Sequence, residues 1–105
     1  MTQLEISPED LAKKLKSPSP PHLLDVRQPE EFALTALAGA QLIPLGELSS
    51  RLGELPPGDL VVYCHHGSRS LQAAALLAAQ GRSALSLRGG IDAWARLIDP
   101  ELPRY

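Results

Sequence analysis

Hydrophobic positions in this chain fall into two kinds of pattern. Short apolar runs bounded by Pro, Gly or charged residues occur at Leu4-Glu5-Ile6, at Leu23 to Val26, at Leu60-Val61-Val62-Tyr63 and at Ser83-Ala84-Leu85-Ser86-Leu87. Their brevity, and the β-branched and aromatic content of Leu60 to Tyr63, fit strands of a buried, mainly parallel sheet. Between them, apolar residues recur at helical spacing. Ser7-Pro8-Glu9-Asp10 opens a first helix, with Ser7 as N-cap, Pro8 at the first helical position and acids in the first turn, and Leu11 and Leu15 then share a face. Ser17-Pro18-Ser19-Pro20-Pro21 ends it as a stiff loop. Pro29-Glu30-Glu31-Phe32 opens a second helix, and Leu45, Leu48, Leu52 and Leu55 recur with the spacing of a core-facing helical stripe.

The stretch from Ser70 to Gln80 is almost entirely Ala, Leu and Gln, which predicts a helix with Ser70 available as N-cap and Gly81 just past its end. Being apolar on nearly every face, it is expected to be buried against the sheet. Gly89-Gly90 turns the chain into a last helix from Ile91 to Leu97, where Trp94, the sole tryptophan, is expected in the core. Strands alternating with helices predict an α/β domain whose mainly parallel central sheet has helices on both faces.

Length and composition bound the rest. A chain of 105 residues is read as one domain, residues 1–105, able to bury roughly 65% of its unfolded surface without a metal or disulfides. One cysteine allows no internal disulfide, which points to a reducing compartment. The start, Met1 to Glu5, has neither a basic nor an apolar leader region, and no run approaches a membrane span, so a cytoplasmic protein without membrane contact is expected. A net charge of −2 and few aromatic residues argue against direct nucleic-acid binding.

The chemistry concentrates at Tyr63-Cys64-His65-His66-Gly67-Ser68-Arg69-Ser70, where the apolar run ends and the Ala/Leu helix begins. A loop entering a helix N-terminus can curl its N–H groups inward into a nest that favours negative charge at its centre. Cys64 is the natural occupant, and helix N-termini and nearby cations are what turn a thiol into a nucleophile. Gly67 allows a backbone turn through positive φ. Arg69 offers a planar fork for an oxyanion. The His65-His66 pair is expected at the loop surface; with no further cysteine, and with adjacent histidines poorly placed to converge on one ion, no metal site is expected. Asp25 and Arg27 straddle the C-terminal end of the second strand, the side where ligands bind in such sheets. Either Asp25 bonds to nearby backbone and Arg27 pairs with Glu30 or Glu31 on the surface, or the two support the site from behind.

The motif Cys64 to Ser70, together with Leu24-Asp25-Val26-Arg27-Gln28-Pro29-Glu30-Glu31-Phe32 upstream and Gly89-Gly90-Ile91-Asp92-Ala93-Trp94 downstream, resembles a single-domain rhodanese, a thiosulfate sulfurtransferase. The three motifs occur in family order and cover most of the chain. The resemblance implies a three-layer α/β domain with a five-stranded sheet, the third strand following Gly39-Ala40. It implies that Cys64 is the catalytic nucleophile, that His65, His66, Gly67, Ser68, Arg69 and Ser70 bind substrate, and that Asp25 and Arg27 support the loop. One segment departs: where many members carry Gly-His-Ile-Pro-Gly-Ala, this chain has Thr35-Ala36-Leu37-Ala38-Gly39-Ala40.

The implied reaction moves sulfane sulfur from a small donor through a Cys64 persulfide to cyanide, a small thiol or a protein sulfur acceptor. It needs no cofactor, because sulfur itself is the carried group. A sulfur-carrier module for thiolation of a tRNA or cofactor would share the chemistry and differ in acceptor. Phosphatases and arsenate reductases of the same overall fold place five residues between Cys and Arg. Here His65, His66, Gly67 and Ser68 alone separate Cys64 from Arg69, a ring better fitted to one sulfur than to a phosphoryl group. A non-catalytic binding domain is the least favoured reading, since Cys64 is retained.

Overall fold

A computed structural model describes residues 3–105; Met1 and Thr2, the first residues of the stretch expected to lack a leader, lie outside the described residues. The strands are β1 (Glu5–Ile6), β2 (His22–Asp25), β3 (Gln41–Leu42), β4 (Leu60–Tyr63) and β5 (Ala84–Leu87). The helices are α1 (Pro8–Leu15), α2 (Pro29–Leu34), α3 (Ser68–Ala79) and α4 (Gly90–Leu97), with 3-10 turns at Leu45–Ser50 and Leu52–Glu54. All four strand pairings are parallel, in the order β1-β5-β4-β2-β3. The expected five-stranded α/β sheet is therefore present, with β4 at its centre. None of the described helices is long and apolar enough to cross a membrane.

Side chains alternating along the strands divide the interior in two. Leu24, Val26, Val62 and Cys64 face Ala73, Ala74 and Leu77 of α3 and the 3-10 turns. Leu23, Val61, Tyr63 and Leu87 face Leu11 of α1 and Ile91 of α4. Trp94 packs against this second core while remaining partly exposed.

Local signals act as expected at the start of α1: the Ser7 hydroxyl accepts the Asp10 N–H at 3.1 Å, and Pro8 opens the helix. Two expectations need correction. The stripe Leu45, Leu48, Leu52, Leu55 forms two 3-10 turns rather than an α-helix, although Leu48 is fully buried and the other three pack beside it. Gly46 and Gly53 within so short a connection weaken a longer helix, while the tighter turns keep the leucines inward. Helix α3 is buried on one side only, through Ser70, Ala73, Ala74 and Leu77; Leu71, Ala75, Ala78 and Ala79 face outward. One layer of helix covers each face of the sheet, so the apolar outer face of α3 has no partner among the described residues.

Candidate active site

Strand β4 delivers the site by its alternation. Tyr63 points into the α1 and α4 core, where its hydroxyl accepts the Leu37 N–H at 3.1 Å, and the next residue, Cys64, falls on the opposite side. The loop then curls, and Gly67 at φ +113° starts α3, a conformation that glycine adopts without strain. Cys64 is almost fully buried. Its Sγ accepts the backbone N–H groups of Gly67 at 3.1 Å and Ser70 at 3.3 Å, and lies 3.5 Å from Ser70 Oγ.

The outer side of the loop is pinned by α4. The Cys64 carbonyl accepts the Ile91 N–H at 2.9 Å, and the His65 carbonyl accepts the Asp92 N–H at 3.1 Å. Gly90, at φ +65°, lies flush against these carbonyls, where a Cβ would overlap both residues. With its carbonyls docked outward in this way, the loop keeps the Gly67 and Ser70 amides turned toward the sulfur. The expected nest is thus a product of two helix starts.

Ser70 does not cap α3. The left-handed Gly67 is the cap residue and lets the helix begin at Ser68, so Ser70 lies in its first turn with the side chain fully buried. Its hydroxyl lies 2.7 Å from that of Ser86 and donates to the Gly67 carbonyl at 3.2 Å. Ser86, on β5 beneath the loop, is missing from the sequence-derived set. A serine inside an otherwise apolar strand was its signal, since a buried hydroxyl requires a partner.

Arg69 does not present a free fork. Its two terminal nitrogens donate to the two carboxylate oxygens of Glu31 at 2.7 and 3.0 Å. Glu31 also accepts the Tyr105 hydroxyl at 2.7 Å and the Gln28 N–H at 3.1 Å. The hydrogen bonds from Arg69 outweigh burial and hold the Glu31 pKa at about 2. The same pairing raises that of Arg69. Of the expected substrate-binding residues, Gly67 and Ser70 contact the sulfur, Arg69 is engaged by Glu31, and the side chains of Ser68 and His66 are exposed. The His65 ring stacks on Tyr105, with centroids 3.9 Å apart and planes 8° from parallel; burial and the adjacent His66 lower its pKa.

Asp25 and Arg27 are fully buried and pair with each other, so a surface pairing of Arg27 with the Glu30 or Glu31 side chain is not formed. Arg27 Nε donates to Asp25 Oδ1 at 2.9 Å, and one terminal nitrogen donates to Asp25 Oδ2 and to the Thr35 carbonyl, both at 2.6 Å. The other donates to the Tyr105 hydroxyl at 2.9 Å and the Glu31 carbonyl at 3.3 Å. Tyr105 thereby connects the buried pair to Glu31 and, through it, to Arg69. The departing segment is anchored by its backbone, at the Thr35 carbonyl and the Leu37 N–H, and by the Leu37 side chain in the second core.

His65, His66 and Asp92 bring ligand-capable atoms within 4.8 Å of one another. Both Asp92 oxygens already accept arginine, from Arg104 at 2.9 Å and Arg96 at 3.2 Å, so a dication would have to compete with two guanidinium groups.

Known proteins resemble the chain along most of its length. It is 42% identical over 103 residues to a sulfurtransferase of Allochromatium vinosum, covering 92% of this chain and 96% of that one. It is 39% identical over 75 residues to the thiosulfate sulfurtransferase GlpE of Pseudomonas fluorescens, covering 69% and 68%. The crystal structure of a rhodanese-like domain protein from Staphylococcus aureus superposes with a TM-score of 0.84 at 29% identity, covering 98% of this chain and 99% of that one. The chain spans between 21% and 50% of the length of several longer relatives, among them a putative sulfur carrier protein of Bacillus subtilis. The sequence pattern of the rhodanese-like domain matches residues 7–97, and the chain belongs to that family.

Proposed function

We propose that this protein is a sulfurtransferase in which Cys64 carries sulfane sulfur as a persulfide. The observation that supports this most directly is the convergence of the Gly67 and Ser70 N–H groups on the single sulfur atom of Cys64. In the first step the Cys64 thiolate attacks the outer sulfur of thiosulfate or a similar sulfane donor. The donor S–S bond breaks, sulfite departs with the bonding electron pair, and the terminal sulfur on Cys64 carries the negative charge. In the second step an acceptor nucleophile such as cyanide or a thiol takes that terminal sulfur, and the Cys64 thiolate is restored. The loop N–H groups stabilise the terminal sulfur, while the Ser70 hydroxyl, bonded to Ser86 and to the Gly67 carbonyl, holds the loop in shape; His65, His66 and Ser68 form the loop around it.

We assign residues 1–105 to one catalytic unit acting in the reducing cytoplasm, where a lone thiol persists. The existence of longer relatives favours a protein sulfur acceptor as well, and a carrier role would use the same persulfide. The experiment is intact mass spectrometry after incubation with thiosulfate and then with cyanide. The expected result is a gain of one sulfur atom that cyanide removes and that Cys64→Ser does not acquire. No mass gain with thiosulfate or with an organic persulfide, or a gain retained in Cys64→Ser, refutes the assignment.

A further inference from the structure

An arginine beside a catalytic thiol is usually available to an anionic substrate, but here its fork is filled. Arg69 is bidentate on Glu31, and Glu31 is itself fixed by the Tyr105 hydroxyl at 2.7 Å and the Gln28 N–H at 3.1 Å. Glu31 is therefore not a side chain that swings aside freely. The neighbouring cations are paired too: Arg27 with Asp25, and Arg96 and Arg104 with Asp92. Among the described residues the arginines around the sulfur are thus paired, and an incoming anion meets loop N–H groups with no free guanidinium beside them. Those suit one negative charge.

We propose that Glu31 is a specificity-determining residue that, by neutralising Arg69, turns the site against doubly charged inorganic donors and toward organic persulfides of low net charge. This rests on the sulfur-transfer reading above. To bind the sulfonate end of thiosulfate, Arg69 must leave Glu31, and the uncovered carboxylate then faces a dianion. An organic persulfide makes no such demand. The Cys64 thiolate attacks the terminal sulfur of R–S–SH, that S–S bond breaks, R–S⁻ departs with the electron pair, and Cys64–S–SH remains. No oxidant or reductant is consumed, and Arg69 keeps its partner throughout.

The test compares kcat/KM for thiosulfate and for cysteine persulfide in the wild type and in Glu31→Gln. Glu31→Gln is expected to raise the thiosulfate value about tenfold, the scale of one charge-assisted interaction, while the persulfide value changes less than about threefold. A wild-type measurement stands independently of that variant's folding. With Arg69 neutralised, kcat/KM for thiosulfate should stay flat or rise between low and high salt, whereas a free guanidinium steering a dianion would give a steep fall. A steep fall, a lower thiosulfate value in Glu31→Gln, or equal gains with both donors overturns the assignment of Glu31. If neither donor places sulfur on Cys64 by intact mass, the sulfur-transfer reading fails and this inference fails with it.

Discussion

Substituting Asp25 by Asn tests whether the Asp25–Arg27 pair is a structural keystone behind the site. All five guanidinium N–H groups of Arg27 have partners, and its side chain and that of Asp25 are both wholly inaccessible to solvent. Burial opposes the Arg27 charge, and the bonds to Asp25 and Tyr105 outweigh it and raise its pKa. Asp25→Asn is nearly isosteric, so it leaves no cavity. It removes the negative charge and turns an NH2 group toward nitrogens that are themselves donors. Removing one member of a buried ion pair costs about 3–5 kcal/mol. A domain of this size has about 5–15 kcal/mol in total. With a urea m-value of about 1–3 kcal/mol per molar, the unfolding midpoint should fall by about 2 M at unchanged m. Thermally, each kcal/mol corresponds to about 4–8 °C in a small domain, so a drop of at least about 12 °C is expected. Urea titration followed by Trp94 fluorescence, with circular dichroism as a second probe, measures both. A loss below about 1 kcal/mol would show that water reaches Arg27 in the folded protein, and the account of a dry, fully paired guanidinium would be wrong.

Gly90→Ala should act on the loop rather than on the core. Its Cβ would overlap the carbonyls of Cys64 and His65 at a φ of +65°, so a destabilisation of about 1–2 kcal/mol is expected from the backbone alone. A loop displaced by about 1 Å should lower kcat/KM about 100-fold, which a steady-state assay beside a melting curve would reveal; full activity would refute the role given to α4. Acid stability offers a further check. The Glu31 pKa lies at about 2 in the folded protein against an ordinary 4.5, so its contribution is complete above about pH 4.5 and is lost as pH falls toward 2. Solvent screening at this partly exposed pair keeps that contribution below the ceiling of about 3–4 kcal/mol set by the difference. Glu31→Gln should flatten the stability profile in this window, and an unchanged slope in urea titrations from pH 5 to 2.5 would count against the ion pair.

Much of this arrangement was legible in the sequence, because local chemistry determines it. Ser7-Pro8 marks a helix start through its own hydroxyl and ring, Gly67 and Gly89-Gly90 mark turns because a Cβ is excluded there, and the apolar runs name the strands. What escaped was set by side chains distant in sequence. Nothing local indicates that Arg69 will meet Glu31 rather than solvent, or that Tyr105 will close over Arg27. The start of α3 differs from expectation because Ser70 is an apt cap by type, while Gly67 supplies the left-handed cap three residues earlier. The outward face of α3 shows the limit of composition: alanine and leucine state what can be buried, and the number of layers decides what is.

The docking of α4 on the cysteine loop has a consequence for the order in which function appears. The amides of Ile91 and Asp92 that hold the Cys64 and His65 carbonyls are made well after the loop during synthesis, and β5 with Ser86 also follows it. A growing chain that has finished β4 and α3 carries Cys64 without the contacts that organise its surroundings. The N–H groups around the sulfur are thus held in place only once the later strand and helix have docked, so the persulfide chemistry proposed above depends on parts of the chain made after the thiol itself.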